Sequence, residues 1–164
     1  NGAAVGLDLD HVNHFHARGV RYITLTHSED NEICDSSYDE TGTWGGLSPY
    51  GHQVVERMNA VRIMVDVSHV SHEAFWDVIE VTSGPLIASH SSARHFAPGF
   101  ERNLTDDMIR AIAKNGGVVM VNFGSTFVSQ KSRDYSDLRR EARDAFLAER
   151  DINRDHPDVE AYLR

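Results

Sequence analysis

Four short apolar runs constrain the fold of this chain more than any other feature. They are "RYITLT" (21–26), "RIMVDVS" (62–68), "PLIAS" (85–89) and "GVVMVNF" (117–123). Each is apolar on both faces, the pattern of strands in a parallel sheet covered on both sides. The stretches around them switch to helical spacing. Leu9, Val12, Phe15 and His16 share a face ahead of Gly19, which suits a C′ position. Ser48-Pro49 reads as an N-cap with Pro at N1, leading into Val54, Val55, Met58 and Val61. Ser71 caps a helix with Ala74, Phe75, Val78 and Ile79 on one side. Thr105 caps another, with Met108, Ile109, Ile112 and Ala113 as its stripe, Asp106 and Asp107 in its first turn, Lys114 in its last and Gly116 ending it. These stripes are core faces. The expected fold is α/β, built from βαβ units with about four parallel strands and right-handed crossovers.

Two segments depart from this rhythm. Residues 27–51 form a long polar connection after the first strand, of a length usually kept for a lid or binding loop. The region 131–164 is a charged tail, in which Leu138, Ala142, Ala145 and Phe146 suggest one amphipathic, solvated helix. The whole reads as one domain. A formal net charge of −9 argues against nucleic acid and anionic membrane surfaces as partners. The single cysteine, Cys34, excludes an internal disulfide and a cysteine-based zinc site, and it reads as structural. No apolar run reaches the roughly 18 residues needed to span a bilayer, and no signal peptide is visible at the start, "NGAAVG". The compartment stays open.

Working residues in parallel α/β folds collect at the C-terminal ends of strands. Here the first strand ends in Thr26-His27, the second in Ser68-His69, the third in Ser89-His90 and the fourth in Asn122. A lone histidine at a strand end is most simply a hydrogen-bonded structural residue. Three on one rim favour a metal, because neighbouring strands lie about 4.8 Å apart and zinc takes neutral imidazole nitrogens. His69 and His90 are the candidate ligands. Asp66, inside the second strand, reads either as a satisfied buried group or as support for the ligands. "SSARHFAPGFERN" (91–103) brings Arg94, His95 and Arg102 to the rim, where a guanidinium suits a substrate carboxylate; for any one arginine a surface position is the simpler expectation. "GTWGG" (42–46) lacks the Lys-Ser/Thr ending of a phosphate loop. His11, His14, His16, His52, His72 and His156 fall on helices or the tail and are expected to face solvent.

The segments "GVRYITLTH", "GLSPYGHQVVERMN", "IMVDVSHVS", "PLIASHSSAR" and "ERNLTDDMIRAIAKNGGVVMVNF" resemble, in order, the membrane (renal) dipeptidase family of zinc peptidases. The resemblance runs from about Asn1 to Ser129. It implies part of a metal-dependent (β/α)8 TIM barrel with two zinc ions bridged by a glutamate. On this alignment His69 and His90 match two ligands of one zinc. His27 matches the histidine that contacts substrate and supports the tetrahedral intermediate. Arg102 matches the arginine that holds the dipeptide's C-terminal carboxylate.

Other family features have no match. The His-x-Asp pair of the first barrel strand is missing, the bridging glutamate would fall immediately before Asn1, and a later aspartate would follow the tail. The chain therefore reads as an internal piece of a dipeptidase, which alone is expected to bind zinc weakly and to hydrolyse nothing. In the intact enzyme the two zinc ions would polarise the scissile carbonyl and activate a water, acting on short peptides with a free C-terminus, D-residues included at that end. The family resemblance also admits an extracytoplasmic or membrane-associated setting. Open sheet edges would favour aggregation or pairing with a second copy. Two other readings compete: a flavodoxin-like binding domain, with helices on both sheet faces, and a related amidohydrolase acting on cyclic amides.

Overall fold

The hydroxyls picked out as caps start the helices expected of them. Ser48 Oγ accepts from the Gly51 N–H, Ser71 Oγ from Ala74 and Thr105 Oγ1 from Met108, each satisfying a donor that a helix N-terminus leaves free. The computed structural model describes residues 1–150 and Ile152. Its helices are α1 Asp10–Ala17, α2 Pro49–Ala60, α3 His72–Val81, α4 Asp106–Lys114, α5 Ser125–Val128 and α6 Gln130–Glu149. Gly19 and Gly116 follow α1 and α4 with φ of 96° and 81°, the left-handed conformation that ends a helix cheaply only at glycine.

The four strands are β1 Tyr22–Thr24, β2 Met64–Asp66, β3 Ile87–Ser91 and β4 Val118–Val121. They form one parallel sheet in sequence order. Thr24 lies beside Asp66, Asp66 beside Ile87 and Ile87 beside Val118, so these four side chains share a level and a face. The third strand starts two residues later than its apolar run and carries the Ser-His-Ser segment inside it. Polar residues extend it because they are bonded across the sheet: the His90 N–H donates to Ser68 Oγ.

Ile23, Val65 and Ala88 alternate onto the opposite face and join Val54, Val55, Met58, Phe75, Val78, Met108 and Ile112 of the helices in one buried cluster. Coverage of both faces, expected from the apolar runs, is not what the structure shows. Tyr22, Val118 and Met120, on the face shared with Thr24 and Asp66, are 48 %, 47 % and 48 % exposed. One-sided helix cover is the arrangement of a barrel wall, whose inner face is also apolar. It removes the flavodoxin-like reading, which needs helices on both faces.

The connection from β1 to α2 is irregular but not loose. Ile33, Cys34 and Leu47 are buried within it, and Cys34 pairs with Leu47 while Ser36 pairs with Val70. Burial and the nearby carboxyl groups of Asp35 and Asp30 push the Cys34 thiol far up, in keeping with a structural role. The tail helix forms as α6, but Leu138 is exposed and Leu147 is the position it buries. The end of the tail, His156 included, lies outside the described residues. His11 and His14 are exposed, whereas His16, His52 and His72 are half-buried rather than solvent-facing; His72 accepts from the Trp76 indole N–H. No described helix is long and apolar enough to cross a membrane.

Candidate metal centre

His27 and His69 each lie three residues beyond their strand, and His90 lies within β3. The structure brings all three together. The Nε2 atoms of His69 and His90 face each other at 2.8 Å. The His27 ring stacks on that of His69, with centroids 4.1 Å apart at 26°. Stacking puts the His27 nitrogens beside the pair rather than in line with it, and among the described residues no third His, Cys, Asp or Glu converges on the two.

The surrounding hydrogen bonds fix where the imidazole protons sit. His69 Nδ1 lies 3.1 Å from the His27 carbonyl oxygen, which can only accept, so Nδ1 carries the proton. Ser89 Oγ donates to Asp66 Oδ2, so its 2.6 Å contact with His90 Nδ1 must be accepted from that nitrogen. Both Nε2 atoms therefore point lone pairs at one another. Such a pair repels unless both nitrogens share a cation, and two neutral imidazole nitrogens this close are a donor set that fits a metal ion bound beside them. Burial, then the Arg102 charge, and then His27 and His90 push the pKa of His69 down to about 3. Burial and Arg102 also lower that of His90, with Asp66 opposing. Both imidazoles are neutral near pH 7, the form that binds metal.

His69 has a φ of 75°, left-handed backbone that costs a non-glycine residue about 1 kcal/mol or more. The strain is held by the long connection: the Ser37 N–H donates to the His69 carbonyl and the Ser71 N–H to that of Asp35. Tyr38, from the same connection, lies 5.8 Å from the His69 ring. Its position in a polar stretch gave no sequence signal.

Arg102 is not a surface residue. It is 3 % exposed. Nη1 donates to Ser91 Oγ and Nη2 to the His90 carbonyl, both at 2.8 Å, while Nε has no partner. Burial lowers its pKa from a value so high that the guanidinium stays charged. Among the described residues no carboxylate pairs with it. A buried, unpaired cation is costly, so this one suits an anionic ligand group. Arg94 does a different job: Nε and Nη2 donate to the Asn103 and Glu101 carbonyls and hold the 94–103 connection in shape. His95 is exposed and packs on Phe96.

The sequence pattern of the membrane dipeptidases (peptidase family M19) matches residues 1–154. The chain belongs to the membrane dipeptidase family. Its curated relatives include an uncharacterised dipeptidase of Schizosaccharomyces pombe, 42 % identical over 126 residues, which cover 76 % of this chain and 30 % of that protein. The dipeptidase tcpJ of Claviceps purpurea is 41 % identical over 109 residues, 66 % of this chain and 25 % of that one. Among solved structures, the probable dipeptidase PvdM of Pseudomonas aeruginosa superposes with a TM-score of 0.78 at 33 % identity, covering 93 % of this chain and 38 % of PvdM. A metallopeptidase of Rhodobacter sphaeroides, liganded with a phosphinate mimic of the dipeptide L-Ala-D-Ala, gives 0.71 at 31 %, covering 79 % of this chain and 38 % of that one. The chain thus spans between a quarter and two fifths of the length of these relatives. The four parallel strands are a segment of the TIM-barrel metallohydrolase fold of this dipeptidase family.

Proposed function

We propose that this chain carries the His-His half of a zinc dipeptidase site together with its carboxylate clamp. His69 and His90 hold one zinc ion of a two-zinc centre. Arg102 takes the C-terminal carboxylate of a dipeptide, and His27 supports the oxyanion that forms at the scissile carbonyl. The observation that carries this reading is the pair of imidazole Nε2 atoms, 2.8 Å apart, beside a buried guanidinium that no described carboxylate pairs.

Bound zinc would supply Lewis acidity and an acidified water. The chain's own residues supply position. Arg102 fixes one end of the substrate, which turns a bimolecular encounter into an oriented one. His27 is exposed at the rim and can turn toward developing negative charge. The phosphinate-liganded relative supports acceptance of a C-terminal D-residue. Two imidazoles leave a four-coordinate zinc short of donors, so this chain alone is expected to bind zinc weakly and to turn over no substrate.

An amidohydrolase of Pseudomonas aeruginosa also superposes, with a TM-score of 0.66 at 30 % identity over 72 % of this chain and 35 % of that one. A cyclic amide, however, offers no free carboxylate to Arg102. The deciding assay uses a protein with the full barrel and compares L-Ala-D-Ala, L-Ala-L-Ala, their C-terminal amides and a hydantoin. Hydrolysis of the free acids with loss of the amides is expected, and Arg102→Ala should raise KM for the acids. Turnover of the hydantoin, or equal rates on acids and amides, would refute the reading.

A further inference from the structure

We propose that Asp66 is a positioning residue: acting through Ser89, it sets which nitrogen of His90 carries the proton and so keeps Nε2 free for a metal. The role rests on His90 being a ligand, but its signature can be read without any metal. Asp66 is fully buried. Its Oδ1 accepts the backbone N–H groups of Ser68 and Ser89, both at 3.0 Å. Its Oδ2 accepts the hydroxyls of Thr24, at 2.6 Å, and Ser89. One side chain thereby ties together β1, β3 and the segment that leads from β2 to His69.

The direction of the last bond matters more than its strength. A hydroxyl beside an imidazole nitrogen can donate or accept, so Ser89 alone would leave His90 free to choose its tautomer. A carboxylate has no proton to give. Ser89 must therefore spend its hydrogen on Asp66, and it can only accept from His90 Nδ1. His69 needs no such device, because its Nδ1 faces a backbone carbonyl. The two ligands are thus oriented by different means, one fixed in the backbone and one set by a buried carboxylate two bonds away in the hydrogen-bond chain.

Asp66→Asn separates this role from structural cross-linking. The amide can keep all four contacts: its oxygen accepts the two backbone N–H groups and its NH2 donates to the two hydroxyls. Ser89, now accepting, turns its own hydrogen toward His90 Nδ1, and the imidazole proton moves to Nε2. In 15N-histidine-labelled chain without metal, His90 is expected in the Nδ1–H form, Asp66→Asn should convert it to Nε2–H, and His69 should stay Nδ1–H in both. Zn2+ affinity at fixed pH should fall about 10- to 100-fold, the range for loss of a group supporting a metal ligand. Ser89→Ala should weaken binding comparably, and the double variant should add little. If Asp66→Asn fails to fold, the parent's tautomer and Ser89→Ala still decide. An Nε2–H His90 in the parent, an unchanged tautomer in Asp66→Asn, or undiminished zinc affinity in Ser89→Ala would each overturn the proposal. Failure of the metal reading itself would look different, with affinity indifferent to His69→Ala and His90→Ala whatever the tautomers.

Discussion

Replacing Asp35 by Ala should both destabilise the chain and loosen the metal pair, although Asp35 touches neither histidine side chain. Its buried carboxylate accepts the Trp44 and Gly46 N–H groups, each at 2.9 Å. Gly46 is buried, so its orphaned donor costs about 1–3 kcal/mol. Trp44 is more open and can turn to water, adding about 1 kcal/mol for a lost charge-assisted bond. Relief of burying the carboxylate offsets part of this. The net loss is about 2–3 kcal/mol, or roughly a 30- to 150-fold shift toward unfolding. With a urea slope of about 2 kcal/mol/M, the midpoint should drop by about 1–1.5 M. Asp35→Asn, which keeps one acceptor, should fall between. Because residues 35–37 run against 69–71 through the Ser37-to-His69 and Ser71-to-Asp35 bonds, amide exchange at Ser37 and Ser71 should speed up together. A midpoint within about 0.2 M of the parent's, with both amides still protected, would refute the idea that this carboxylate holds the connection against the site.

Two further outcomes follow from the local geometry at His69. Its left-handed backbone predicts that His69→Gly is more stable than His69→Ala by about 1 kcal/mol, read as a higher urea midpoint; equal midpoints would show that the φ of 75° carries no strain. The lowered pKa predicts a pH effect on the metal-free chain. His69 titrates near 3 when folded and near the ordinary 6.5 when unfolded, so between these values the unfolded chain binds the extra proton. Stability is therefore complete above about pH 6.5 and is lost as pH falls toward 3. The urea midpoint should fall between pH 7.5 and 5, and His69→Ala should flatten that slope; an equally steep slope in the variant would place the titrating group elsewhere.

The helices were legible because their signals are local. Ser48-Pro49, Ser71 and Thr105 announce their caps within three residues, and Gly19 and Gly116 announce the ends. The strands were legible as apolar runs, but their boundaries were not. "PLIAS" hid a strand that runs on through Ser-His-Ser, because what sustains it is a cross-strand bond to Ser68. Sheet cover was misread for a related reason: an apolar inner face looks the same in sequence whether helices or the far side of a barrel will meet it. His27, His69 and His90 were found together because strand tips concentrate chemistry. Tyr38 and the role of Ser89 were not found, since Tyr38 meets His69 and Ser89 meets Asp66 across 20 or more residues of chain. Arg102 was one of several rim candidates in "SSARHFAPGFERN" and was singled out only through family likeness, since nothing in "GFERN" shows that its charge is buried and unpaired.

Zinc competition titration against a chromophoric chelator, at fixed neutral pH, tests the imidazole pair most directly. The parent chain should bind a single zinc ion weakly, and His69→Ala and His90→Ala should each bind at least about tenfold more weakly still, with folding checked by circular dichroism. Parent-like affinity in both folded variants would contradict the assignment and return the two histidines to a structural role.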